Sequence, residues 1–95
     1  MKKLLNTLYI LSEDAYLALD GENVVAWKDK TIAGRIPLHT LTSIVCFSYK
    51  GASPALMGEC ASRGLDLVFF SPRGRFLART SGTNKGSLLL QKRQY

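Results

Sequence analysis

Ala15-Tyr16-Leu17-Ala18-Leu19-Asp20-Gly21-Glu22-Asn23-Val24-Val25-Ala26-Trp27-Lys28 is the stretch on which the fold turns. Two apolar and aromatic runs flank Asp20-Gly21-Glu22-Asn23, and a glycine that takes a positive backbone dihedral at little cost reverses the chain between them. The runs are therefore the two strands of a hairpin. Upstream, Leu8-Tyr9-Ile10-Leu11 is a further strand, separated from the hairpin by the polar Ser12-Glu13-Asp14. Downstream, Asp29-Lys30 turns the chain into a strand over residues 31–36. Pro37 cannot donate to a ladder, so it ends that strand or keeps it at an edge. Leu38-His39-Thr40-Leu41 then connects to a fifth strand, Ser43-Ile44-Val45-Cys46-Phe47. Five strands at spacings of about ten residues mark a small sandwich or a rolled sheet.

The pattern changes at Gly51. Ser53 is a good N-cap, Pro54 suits the first helical position, Leu56, Met57, Cys60 and Ala61 form an apolar stripe, and Gly64 is a C-terminal stop. One helix of about ten residues is predicted. Gly58 in its middle costs about 1 kcal/mol relative to alanine, which close packing of the helix against a sheet would explain. Leu65-Asp66-Leu67-Val68-Phe69-Phe70 is almost continuously apolar, as in a strand covered on both faces. Ser71-Pro72-Arg73-Gly74 reads as a turn into a last strand ending at Thr80. Alternation there puts Arg75 and Arg79 on one face, Phe76 pointing inward on the other, and Arg73 at the tip. The expected fold is mainly β (α+β), a small two-sheet, sandwich-like domain with one helix, over residues 1–80. Residues 81–86 read as a linker, and residues 87–95, with Leu88-Leu89-Leu90, as the start of a further helix. A helix shorter than about 12 residues is marginal in water, so the chain reads as the front end of something larger.

The 95-residue chain carries 13 Lys and Arg against 7 Asp and Glu, a formal net charge of +6. Residues 63–95 hold seven of the basic residues and one acid, Asp66, while residues 1–62 balance six against six. The whole excess sits in one stretch, and within it Arg73, Arg75 and Arg79 are candidate contacts to the phosphates of a polyanion. The competing reading is a solvated edge strand whose charges prevent aggregation.

Several function classes drop out. At 46% hydrophobic and 21% charged, the composition is that of a globular domain, not a disordered tail. No apolar run approaches the roughly 20 residues needed to span a bilayer. Lys2-Lys3-Leu4-Leu5 resembles the opening of a signal peptide, but Asn6-Thr7 interrupts the apolar run and Glu13-Asp14 follow it. Cys46 and Cys60 lie in apolar stretches without metal-ligand spacing, which suits two buried thiols in a reducing cytoplasm; a disulfide between them is the alternative. His39 has no second histidine to complete a metal site. Glu13, Asp14, Asp20 and Glu22 could bind a divalent ion but read as turn-flanking, solvated carboxylates. Trp27, Phe47, Phe69, Phe70 and Phe76 are either core or base-stacking platforms. No catalytic residue, metal site or cofactor is expected in this chain.

The hairpin Leu19-Asp20-Gly21, Ile36-Pro37-Leu38, Ile44-Val45, Gly51-Ala52-Ser53-Pro54-Ala55-Leu56-Met57, Arg63-Gly64-Leu65, Gly74-Arg75-Phe76-Leu77-Ala78-Arg79 and the closing Leu90-Gln91-Lys92-Arg93-Gln94-Tyr95 occur in this order. Together they resemble the amino-terminal domain of the CRISPR-associated integrase family, CRISPR-associated protein one, in wording most like its type I-C branch. The resemblance implies a two-domain parent whose helical carboxy-terminal domain, with a Glu, His and acidic site for Mg or Mn, acts as a DNA endonuclease and integrase and inserts prespacers into the CRISPR array. It implies for this domain a non-catalytic role in dimerisation and scaffolding. The implied partners are a second copy, CRISPR-associated protein two and double-stranded prespacer DNA, in the cytoplasm and away from any membrane. The alternative is a free-standing basic β domain that binds nucleic acid without regard to sequence.

Overall fold

The computed structural model describes residues 1–80; the expected linker (81–86) and helix start (87–95) lie outside the described residues. The chain runs β1 (Lys2–Leu4), β2 (Thr7–Ile10), β3 (Ala15–Asp20), β4 (Asn23–Lys28), β5 (Thr31–Pro37), a 3-10 turn (Leu38–Thr40), β6 (Ser43–Phe47), α1 (Pro54–Arg63), β7 (Asp66–Phe70) and β8 (Phe76–Thr80). Two sheets result, one of five strands in the order β1-β2-β6-β7-β8 and one of three in the order β3-β4-β5. The fold is mainly β, with two sheets and one helix, as the residue pattern predicts.

Local chemistry accounts for the three-stranded sheet. Gly21 at φ 62° makes the two-residue turn that sets Asp20 opposite Asn23, and Asp29 at φ 61° makes the next one, with Lys28 opposite Thr31. Pro37 closes β5 at the sheet edge, where its missing N–H leaves no ladder bond unmade. Residues 51–53 run along the free side of β3, since the Leu17 N–H donates to the Gly51 carbonyl at 3.0 Å and the Ser53 N–H to the Leu17 carbonyl at 2.8 Å.

The five-stranded sheet is assembled from distant pieces. β2 and β3, neighbours in the chain, do not pair: β2 lies parallel to β6, with Thr7 beside Ser43, and β6 lies parallel to β7, with Ser43 beside Asp66. Parallel neighbours need a crossover, and α1 supplies the one between β6 and β7. β1 adds to the edge as an antiparallel strand, so Lys2 and Lys3 belong to a ladder and Leu5 takes the turn at φ 58°.

The helix has the expected ends. The Leu56 N–H donates to Ser53 Oγ at 3.1 Å, Pro54 opens the first turn, and Gly64 closes it at φ 71°. Leu56 and Cys60 are fully buried among Leu8, Ile10, Leu17, Val24, Ile44, Cys46 and Leu67, the core shared by the two sheets. Burial pushes both thiols up to about 11; a neighbouring backbone bond from Ser48 opposes this at Cys46, while Glu59 adds to it at Cys60. Both cysteines are free, so the thiol reading holds over the disulfide. No helix among the described residues is long and apolar enough to cross a membrane.

Three expectations need correction. A side chain on Gly58 would meet nothing within 4 Å, so close packing against the sheet does not explain that glycine. Gly58→Ala is therefore expected to stabilise the domain by about 1 kcal/mol, read as a higher midpoint of denaturant unfolding; a lower midpoint would contradict the open surface. β7 is not covered on both faces: Leu67 and Phe69 are buried, while Asp66, Val68 and Phe70 on the other face are only half-buried. Phe76 does not point inward. A register irregularity between Phe69 and Phe70 leaves Leu77 without a partner across β7, so Phe76 pairs with Phe70 and Ala78 with Phe69. Phe76 thus lies on the outer face, 57% exposed.

Candidate nucleic-acid interface

Because β2, β6 and β7 run in the same direction, their carboxyl ends leave the sheet on one side. The segments that follow them, residues 11–14, 48–51 and 71–75, diverge there and leave a crevice, the usual place for a ligand at the end of parallel strands. It is a cleft of about 650 Å³ lined by Glu13, Tyr49, Ser71, Pro72, Arg73 and Arg75. Each of the three segments contributes at least one of those side chains.

Two buried serines hold the walls. Ser48, 1% exposed, sets its Oγ 2.7 Å from the Ala15 carbonyl and 2.9 Å from the Glu13 carbonyl, and accepts from the Lys50 N–H at 3.1 Å. It ties the segment carrying Glu13 to the one carrying Tyr49. Ser71, 2% exposed, accepts from the Arg75 N–H at 3.1 Å, while its own N–H donates to the Arg75 carbonyl at 2.7 Å. The Gly74 N–H donates to the Ser71 carbonyl at 2.8 Å, with Gly74 at φ 92°. These bonds close the turn tightly and fix the backbone that carries both arginines relative to β7.

Of the three arginines singled out by sequence, the fold brings Arg73 and Arg75 together and sets Arg79 apart. Arg79 lies opposite Val68 and pairs with Asp66, Nη2 to Oδ2 3.0 Å. Glu13, Arg73 and Arg75 form no ion pair among the described residues. Asp20 pairs with Arg35, and Glu22 lies 3.6 Å from Arg63, which also holds Glu59 at 2.8 Å. The acidic residues at the turn of the first hairpin are thereby accounted for, whereas Glu13 and its neighbour Asp14, which precede the hairpin, form no ion pair among the described residues.

Sequence reasoning missed Glu13 and Tyr49 as members of the site. The available signal was Tyr49 itself, an aromatic in the polar run Ser48-Tyr49-Lys50-Gly51, and it is 71% exposed. The other aromatics divide. Phe69 is core, whereas Phe47 and Phe70 stack at 5.2 Å and Phe70 meets Phe76 edge to face at 5.9 Å on the outer face beside the cleft. His39 lines a separate pocket with Arg63 and has no ligating neighbour there. No group of three or more His, Cys, Asp or Glu that could hold a metal ion occurs among the described residues. Chemically, the cleft offers two guanidiniums suited to anionic oxygens and one carboxylate, none of them in an ion pair among the described residues.

A family model described as CRISPR associated protein Cas1 matches residues 8–95. The chain belongs to the Cas1 family. It is 47% identical over 95 residues to the CRISPR-associated endonuclease Cas1 2 of Rhodospirillum rubrum, covering 100% of this chain and 28% of that protein. It thus spans little more than a quarter of the length of the curated Cas1 relatives it matches. Among solved structures, a Cas6-RT-Cas1–Cas2 complex superimposes with a TM-score of 0.73 at 16% identity, over 81% of this chain and 8% of the other. The TtCas1–DNA complex does so with a TM-score of 0.66 at 16% identity, over 86% of this chain and 32% of the other. At such identities the likeness is one of fold, and that fold is the two-sheet Cas1 domain described above.

Proposed function

We propose that this chain is the amino-terminal scaffold and dimerisation domain of a CRISPR spacer-acquisition integrase, with no catalytic role of its own. The observation that carries the reading is its match, over its whole length, to 28% of a relative named as an endonuclease. The parent protein is a metal-dependent DNA endonuclease and integrase of the type I-C branch, acting in the cytoplasm. Mg or Mn is held there by residues outside this chain, where the metal stabilises charge on attacking and leaving oxygens. The domain pairs with a second copy, the pairs flank CRISPR-associated protein two, and the assembly holds a prespacer duplex. The Cas1–Cas2 and Cas1–DNA complexes that share the fold support that set of partners.

Within the domain, Arg73 and Arg75 contact phosphates. The outer aromatic face carrying the half-buried Phe47 and Phe70 and the exposed Phe76 is the surface offered to the second copy, since contiguous exposed apolar area marks interaction sites. Size-exclusion chromatography with light scattering tests the scaffold reading. A species of twice the chain mass is expected, and a strict monomer at high concentration would overturn it.

A further inference from the structure

We infer that β1 is a strap, latched by Met1 over Gly34 and hinged at Leu5, that keeps the edge of β2 closed to strand addition by further copies of the chain. Neither the cleft nor its ligand enters into this.

The latch is steric. Gly34 lies in β5 opposite Ala26, whose side chain is buried in the core shared by the two sheets. A hydrogen and a single methyl group side by side leave a shallow notch at the rim of the three-stranded sheet. Met1 fills it: a Cβ built on Gly34 would stand 2.5 Å from Met1 Sδ and 2.7 Å from its Cε, where real Cβ atoms keep at least 3.0 Å. Glycine inside a strand weakens it and often marks the close approach of another group. Here that group is the thioether of Met1. The end of β1, the edge strand of one sheet, thus rests on β5, the edge strand of the other.

The hinge is at Leu5. Its φ of 58° is a left-handed conformation that a residue with a side chain adopts at a cost, and its apolar side chain is 86% exposed. On one side of this turn the chain is anchored. The Asn6 carbonyl accepts from the Thr42 N–H at 2.8 Å and from Thr42 Oγ1 at 3.3 Å, and Thr7 Oγ1 lies 3.1 Å from Ser43 Oγ. On the other side β1 has three residues, all exposed, and Lys2 and Lys3 form no ion pair among the described residues. A short strand behind an unfavourable turn opens readily unless its far end is held, and Met1 holds it.

The strap covers a vulnerable edge. β2, Thr7-Leu8-Tyr9-Ile10, consists of apolar and β-forming residues without a charge, and β1 pairs with its outer side. Without β1 that row of backbone groups would be a template for another strand. With β1 in place Lys2 and Lys3 stand at the rim of the sheet, the kind of charge that blunts a natural edge.

Hydrogen exchange read by mass spectrometry on the protein at its full natural length tests the strap. In Gly34→Ala the three atoms nearest the new methyl group all belong to the flexible end of Met1, so Met1 gives way and the rest of the domain stays as it is. Peptides within residues 1–10 are expected to exchange about fivefold faster in that variant, with wild-type rates elsewhere in the domain. Leu5→Gly relieves the hinge and is expected to slow the same peptides about fivefold. Light scattering at matched concentration should find Gly34→Ala in larger species than wild type. Unchanged exchange over residues 1–10 in Gly34→Ala, or faster exchange throughout the domain, overturns the latch. Exchange that is not slowed in Leu5→Gly overturns the hinge, and an opened strap that forms no larger species overturns its protective role.

Discussion

Arg73→Ala/Arg75→Ala is expected to lower the slope of log affinity against log salt by about 1.8 for binding to duplex DNA, at about 0.9 for each phosphate that the protein no longer neutralises. Between 50 and 200 mM salt the wild-type protein should then lose about tenfold more affinity than the double variant. The reason is geometric. The bonds around the buried Ser71 hold the turn that carries both arginines at one cleft, and neither arginine forms an ion pair among the described residues. Arg79→Ala should change the slope far less, because that guanidinium already faces Asp66 at 3.0 Å and lies outside the cleft. A salt series of anisotropy titrations, with a scrambled duplex alongside, checks the prediction. The weakening should be uniform across sequences, since phosphate contacts carry no base information. An unchanged slope in the double variant, or a larger change in Arg79→Ala, would remove the cleft from the DNA surface.

Leu56→Ala is expected to destabilise the domain by about 2 to 5 kcal/mol, against a total stability of about 5 to 15 kcal/mol for a domain of ordinary size. Leu56 is 0% exposed and stands on the helix that packs against β3 of one sheet and against β7 and β8 of the other. Truncation leaves a cavity where both sheets and the helix meet, and the surrounding strands are tied into ladders that cannot collapse to fill it. Denaturant unfolding should show a lower midpoint with an unchanged slope. A destabilisation below about 1 kcal/mol would mean that the helix can shift to fill the gap, and that the two sheets are joined less rigidly than the packing implies. The same burial keeps the thiols of Cys46 and Cys60 protonated, with both pushed up to about 11.

How much of the fold is legible in the sequence depends on distance along the chain. Ser53, Pro54 and Gly64 announce the ends of α1 because capping bonds join residues three or four apart, and the Gly21 turn announces the first hairpin for the same reason. Lys2-Lys3 stands out for its charge, and nothing beside it marks the ladder it joins. The inward assignment of Phe76 follows from strict alternation. One unpaired residue in β8 reverses it, and no residue type in Phe76-Leu77-Ala78 marks such a bulge.

The candidate site is legible only as a set of residue types. Arginines at 73, 75 and 79 stand out as an excess of charge, but which two share a cleft depends on Asp66 reaching Arg79 and on the turn at Ser71. Glu13 and Tyr49 enter through the parallel pairing of β2, β6 and β7, whose partners lie tens of residues apart.

The amino-acid order alone settles the family, the kinds of element, the helix ends and the hairpin, because each depends on short-range hydrogen bonding and on steric preferences of neighbouring residues. Which strands pair, which faces are covered and which charges meet in the cleft came from the folded chain. Those outcomes are set by burying one shared core between two sheets, a condition imposed on all the strands at once and written in no short stretch of them.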